Sequence, residues 1–141
     1  MKTLRLLVVD GQGGGIGRQL VEAVRAAQIP CEITAVGANT AATAAMLRSG
    51  ADQGATGENA VIVCARDADV IAGPVGIAIA DSLLGEITPA MARAIGQSPA
   101  RKLLLPVNHC NNVIAGVGDL SLRALTEDAL RLLRQWIDET P

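Results

Sequence analysis

The stretch Asp10-Gly11-Gln12-Gly13-Gly14-Gly15-Ile16-Gly17 constrains this chain more than any other. Five glycines fall within seven residues, a run that is costly to order unless the backbone needs it. An apolar run, Leu4, Leu6, Leu7, Val8 and Val9, leads into it. Arg18-Gln19-Leu20-Val21-Glu22-Ala23-Val24 follows with helical spacing. Strand, glycine turn and helix in that order make a phosphate-binding βα unit. Glycine lets the backbone approach an anion closely. A helix starting near Gly15 or Ile16 presents unpaired N–H groups and the positive end of its dipole.

The spacing excludes two phosphate-binding patterns. In the Gly-x-x-x-x-Gly-Lys-Ser/Thr loop a lysine and a hydroxyl follow the last glycine; here Arg18 and Gln19 do. Gly-x-Gly-x-x-Gly fails because Ile16 takes the third glycine's place. Gly11-x-x-x-Gly15-Ile16-Gly17 instead resembles the Thr-Gly-x-x-x-Gly-Ile-Gly turn of short-chain dehydrogenases, with Asp10 in place of the threonine. The resemblance implies a Rossmann-like nucleotide site and covers residues 10–17 alone. That family's Tyr-x-x-x-Lys catalytic pair is impossible in a chain without tyrosine.

The remaining sequence alternates strand and helix patterns. A helix is expected from Gly15 to Gln28, stopped by Pro30, and a strand at Glu32 to Val36. Asn39 or Thr40 caps a helix from Ala41 to Ser49. Gly54 to Asn59 reads as a second glycine-bearing loop, with Thr56 capping a helix from Gly57 to Arg66. A strand follows at Asp69 to Ala72, then a buried helix from Ile77 to Leu84 and a helix opened by Thr88 and Pro89. Arg101 to Val107 reads as a strand covered on both faces, Val113 to Val117 as an edge strand, and Ser121 to Asp138 as an amphipathic closing helix. The pattern is α/β: a Rossmann-like open, mostly parallel sheet with helices on both faces, in three αβα layers, as a single domain over residues 1–141.

In such a sheet, ligands lie outside the carboxyl ends of the strands. Those ends are Asp10 to Gly17, Gly37 to Thr40, Gly73 to Gly76 and Asn108 to Asn112. The expected cofactor-binding residues are therefore Asp10, Gly11, Gln12, Gly13, Gly14, Gly15, Ile16, Gly17, Asn39, Thr40, Gly73, Pro74, Gly76 and Asn108. The second strand's exit, Gly37-Ala38-Asn39-Thr40, carries no acid to hold a ribose 2′-hydroxyl, so NADP is preferred over NAD or a mononucleotide. The expected function is nucleotide or dinucleotide binding as a binding or regulatory module. One alternative is a small enzyme on a phosphorylated or nucleotide ligand, with Cys110 or an acid such as Asp10 or Glu86 as its working group. The preferred reading of each carboxylate is that it fixes a loop by bonding backbone N–H groups. Another alternative is a structural or regulatory subunit.

Composition narrows the partners. Net charge is −2 without a basic block, and Trp136 is the sole aromatic residue, so nothing favours nucleic acid. No apolar run reaches membrane-spanning length, and the start carries no signal-peptide pattern. Cys31, Cys64 and Cys110 lack paired spacing, and with one histidine, His109, they point to reduced thiols in a cytoplasmic protein without zinc. Charged residues make up only 18% and mean hydropathy is +0.34, which predicts a homodimer or larger homo-oligomer. The closing helix around Trp136 and the segment Val113 to Val117 are the expected contact surfaces.

The whole chain also resembles a family of small bacterial proteins of unknown function. The shared motifs are Val9 to Gly17, Gly54 to Ala60, Gly73 to Ile77, Leu84 to Pro89 and the turn from Asn108 to Cys110. The resemblance implies a Rossmann-like fold and brings no activity with it.

Overall fold

The computed structural model describes residues 3–107 and 111–139. Among them five parallel strands form one sheet in the order β3-β2-β1-β4-β5. The chain runs β1 (Leu4–Asp10), α1 (Gly15–Ala26), β2 (Cys31–Gly37), α2 (Thr40–Arg48), β3 (Gln53–Thr56), α3 (Glu58–Ala65) and β4 (Val70–Pro74). A short 3-10 turn (Val75–Ala78), α4 (Pro89–Gln97), β5 (Arg101–Leu105) and α5 (Leu122–Glu139) complete it.

The apolar run of β1 has a direct cause. It is the central strand, paired with β2 from Leu4–Cys31 to Asp10–Gly37 and with β4 from Leu6–Val70 to Val8–Ala72. Both of its faces are covered, so residues of both parities are buried. Leu6 and Val8 pack with Leu20 and Val24 of α1, Met46 of α2 and Leu133 of α5. Leu7 and Val9 pack on the other face with Val61 of α3 and Met91 and Ile95 of α4. The result is three layers, with the core split by the sheet.

Several helix boundaries follow the local chemistry. Asn39 Oδ1 accepts the Ala42 N–H at 2.9 Å and caps α2. Thr88 caps α4 through the Met91 N–H at 3.1 Å, and Pro89 supplies the preset φ of the first helical position. On α5, Leu125, Ala129 and Leu133 recur every fourth residue and form its buried stripe. Trp136 is partly buried beside them, with the Arg101 guanidinium 5.1 Å from its ring centroid.

Five expectations are corrected. Gln53–Thr56, read as part of a loop, is the edge strand β3, and all four of its residues are exposed. Its pairing with Thr34 to Gly37 rests on backbone hydrogen bonds rather than on an apolar pattern. Thr56 does not cap α3; Gly57 holds that position without a side-chain bond, and the Thr56 hydroxyl pairs with Thr43 Oγ1 at 2.8 Å. The buried helix expected at Ile77 to Leu84 is absent: the 3-10 turn ends at Ala78, and Asp81, Leu83 and Leu84 have φ of 67°, 55° and 56°. Left-handed backbone at these positions cannot continue a right-handed helix. Val113 to Val117 is not a strand, and Val113 is exposed. The edge on that side is β5 itself, with Arg101 exposed; its two faces are still covered, Leu103 and Leu105 being buried in one core and Leu104 packing against the other. Finally, β4 runs through Gly73 and Pro74, which lie inside the sheet rather than in its exit loop.

Candidate functional site

The glycine loop leaves the carboxyl end of β1, and Asp10, the last residue of that strand, organises it. Asp10 is 3% exposed. Its Oδ1 accepts the Gly11 N–H at 2.8 Å and its Oδ2 accepts the Gly17 N–H at 2.7 Å. The Ile16 N–H also bonds this carboxylate. The amides of Ile16 and Gly17 belong to the first turn of α1, where no intrahelical acceptor exists. The helix N-cap, Gly14, has no side chain to satisfy them. It sits at φ 73°, and a Cβ there would stand 2.8 Å from the Ala42 Cα, so a residue with a side chain is excluded by conformation and by space. Asp10 therefore does the capping from the end of the strand. Burial raises its carboxyl above the ordinary range; the bonds from Gly17, Gly11 and Ile16 offset part of this, and the charge of Glu86 adds to the rise.

A second carboxylate closes the loop from outside. Glu86 Oε1 accepts the Gln12 N–H at 2.5 Å, and Glu86 Oε2 accepts from Asn39 Nδ2 at 2.6 Å. Asn39 Nδ2 also donates to the Gln12 carbonyl at 2.9 Å. The loop after β1, the exit of β2 and the segment before α4 are thus tied at one point. Glu86 and Gln12 are 74 positions apart in sequence. Both carboxylates, open to an acid–base role from sequence, hold backbone amides here. Leu83 packs beside them: a Cβ on Gly11 would come within 2.8 Å of Glu86 Oε1 and 3.0 Å of Leu83 Cδ1.

On the other side the loop is open. Gly13 and Gly15 are exposed, and nothing lies within 4 Å of where a Cβ would stand on either. Thr40, the first residue of α2, is also exposed. Gly73 and Pro74 are buried in β4 beneath the loop. Gly76 anchors the following segment, its carbonyl accepting from the Ser82 hydroxyl and from the Ile79 N–H at 3.0 Å. The structure thus brings residues 10–17 and Asn39 together and adds Glu86, Leu83 and Ser82, which no strand-end rule selects. Asn108, His109 and Cys110 lie outside the described residues. Of the other thiols, Cys31 is buried and Cys64 half-buried, and burial pushes both up. Among the described residues no group of three or more His, Cys, Asp or Glu is placed to hold a metal ion.

The strand order reverses at β1, because β2 and β3 extend to one side and β4 and β5 to the other. An open parallel sheet with a glycine turn at that switch point defines an α/β protein of the Rossmann type. Residues 5–138 match the family described as a domain of unknown function (DUF3842), and the chain belongs to that family. No curated protein and no solved structure matches the chain. No described helix is long and apolar enough to cross a membrane.

Proposed function

We propose that this chain binds a nucleotide or dinucleotide on the 10–17 loop, with phosphate against the open Gly13–Gly15 backbone, as a binding or regulatory module. The observation that carries this reading is position: an exposed glycine turn opens a helix at the switch point of a parallel sheet. Asp10 already takes the Ile16 and Gly17 amides, so the phosphate is left to the earlier part of the turn. Asn39 is committed to Gln12, Glu86 and Ala42. Exposed Thr40 is then the group best placed at the exit of β2 to meet a ribose 2′-phosphate, and with no acid at 37–40 NADP is preferred over NAD.

A thermal-shift screen with NADPH, NADP, NAD, FMN, ATP and S-adenosylmethionine tests this. A ligand at one hundred times its Kd adds about 2.7 kcal/mol of stability, and the largest shift is expected with NADPH or NADP. No shift with any of the six refutes the reading.

One observation favours a second reading, a structural or regulatory subunit: Asp10 and Glu86 satisfy loop amides with the protein's own carboxylates, so the turn is complete without a ligand. A partner complex from cells that survives Gly15→Val would select it.

Self-association belongs to the same proposal. Leu84, Val113 and Leu120 are exposed in a chain of low charge content, and Val113 and Leu120 precede α5. Light scattering behind a sizing column should give a multiple of the 14.4 kDa chain mass at micromolar concentration; a monomer would overturn it.

A further inference from the structure

We propose that residues 79–87 form an autoinhibitory strap, which presses the Glu86 carboxylate into the glycine loop as a tethered anion and lifts when an anionic ligand arrives. The inference rests on the nucleotide reading for the identity of that ligand. Its starting point is that Glu86 already plays an anion's part. It accepts from a backbone amide of the turn, that of Gln12, and from a side-chain amide, that of Asn39. These are the donors a phosphate oxygen uses at such a turn. The contact also brings a second carboxylate toward buried Asp10, a like-charge approach that lifting the strap relieves.

The strap's backbone is held under strain. Asp81, Leu83 and Leu84 adopt φ of 67°, 55° and 56°, next to Gly85 at 86°. Residues with side chains keep such conformations only where surrounding contacts enforce them. The enforcing contacts lie mostly within the segment itself, where the Ser82, Gly85 and Glu86 N–H groups donate to the Ile79, Asp81 and Leu83 carbonyls at 3.3, 3.2 and 3.1 Å. The Asp81 N–H donates to the Ile87 carbonyl at 2.7 Å and the Ile87 N–H to the Ser82 carbonyl at 3.2 Å, so the strap closes on itself at its base. Ser82 reaches the Gly76 carbonyl, and Leu83 is buried beside Gly11. At the apex Leu84 is 96% exposed. The strap therefore hangs between two firm points, the 3-10 turn and the Thr88 cap of α4, and Glu86 and Leu83 are its holds on the glycine loop. Releasing Glu86 frees the Gln12 amide and one Asn39 Nδ2 hydrogen for a ligand while β1 and β4 stay in place.

Amide hydrogen exchange and binding titrations on the wild type, Glu86→Ala and Glu86→Gln test the strap. The titration probes are NADPH and inorganic pyrophosphate. In Glu86→Ala the amides of residues 11–13 and 81–87 should exchange at least tenfold faster, with β1 and β4 unchanged. Both probes should bind at least tenfold tighter to Glu86→Ala than to wild type. Glu86→Gln, which keeps the shape and removes the charge, should shift both in the same direction, and it carries the test if the alanine variant does not fold. Faster exchange throughout β1 and β4 would make Glu86 a structural brace and overturn the strap. Equal affinity in all three proteins would also overturn it and leave the nucleotide reading standing. Local opening with no binding of either probe would instead remove the nucleotide reading and leave the strap.

Discussion

Asp10→Ala should lower folding stability by about 3 kcal/mol, since it strands the buried Gly11 amide of the loop and the half-buried Ile16 and buried Gly17 amides in the first turn of α1. In a chain of this size that is a fall in Tm of about 10 °C. No other side chain of the α1 N-terminus can substitute, because Gly14 and Gly15 have none. The pH dependence has a definite sign. Burial holds the Asp10 carboxyl above its unfolded value, so its contribution is full below the ordinary carboxylate range and diminishes as pH rises through the raised folded value. The stability gap between wild type and variant should accordingly be widest in acid and narrow toward neutrality. Urea midpoints across that range measure it, and an unchanged midpoint at every pH would show that Asp10 does not cap the helix.

Gly73→Ala should be comparably damaging for a steric reason. A Cβ at this position would stand 2.2 Å from the Val9 carbonyl oxygen and 3.0 Å from Ile77 Cδ1. The first is backbone of the central strand, which cannot retreat without breaking its pairing with β2 or β4. Overpacking of this kind costs about 3 kcal/mol at the upper end of its usual range. Gly96→Ala is the matched control. It lies in α4 with nothing within 4 Å of its Cβ position, and alanine there should be neutral or stabilise by about 0.5 kcal/mol. Far-UV circular dichroism melts of the two variants decide the matter: a Gly73→Ala protein as stable as Gly96→Ala would mean that β1 and β4 approach less closely than described.

What could be read in the sequence was whatever local chemistry determines. β1 and the glycine turn stand out because a central parallel strand is apolar throughout and the turn needs residues without side chains. Thr88-Pro89 marks α4, and the four-residue spacing of Leu125, Ala129 and Leu133 marks α5. β3 was hidden because Gln53-Gly54-Ala55-Thr56 has no apolar alternation and joins the sheet through its backbone and polar side chains. Ile77 to Leu84 looked helical because its side chains are apolar; the positive φ of Asp81, Leu83 and Leu84 is imposed by packing and leaves no mark in composition. Within the site, Asp10 is seven residues from Gly17 and follows from recognising the βα unit. That Glu86 lies against Gln12 follows only once β4 is known to lie beside β1.

The position of β4 also bears on how the chain is made. A ribosome releases β1, α1, β2, α2 and β3 first, and these can pair and cover one side of the sheet with α1 and α2. The opposite side, with Leu7, Val9 and Val36, waits for α3 and α4. Until β4 emerges, one edge of the central strand stays bare as well. The nascent N-terminal half thus presents an apolar sheet face and an open edge together, the combination that draws chaperones or aggregates. The glycine turn, synthesised before α3 and α4, is fixed by a glutamate that the ribosome adds 74 residues after Gln12.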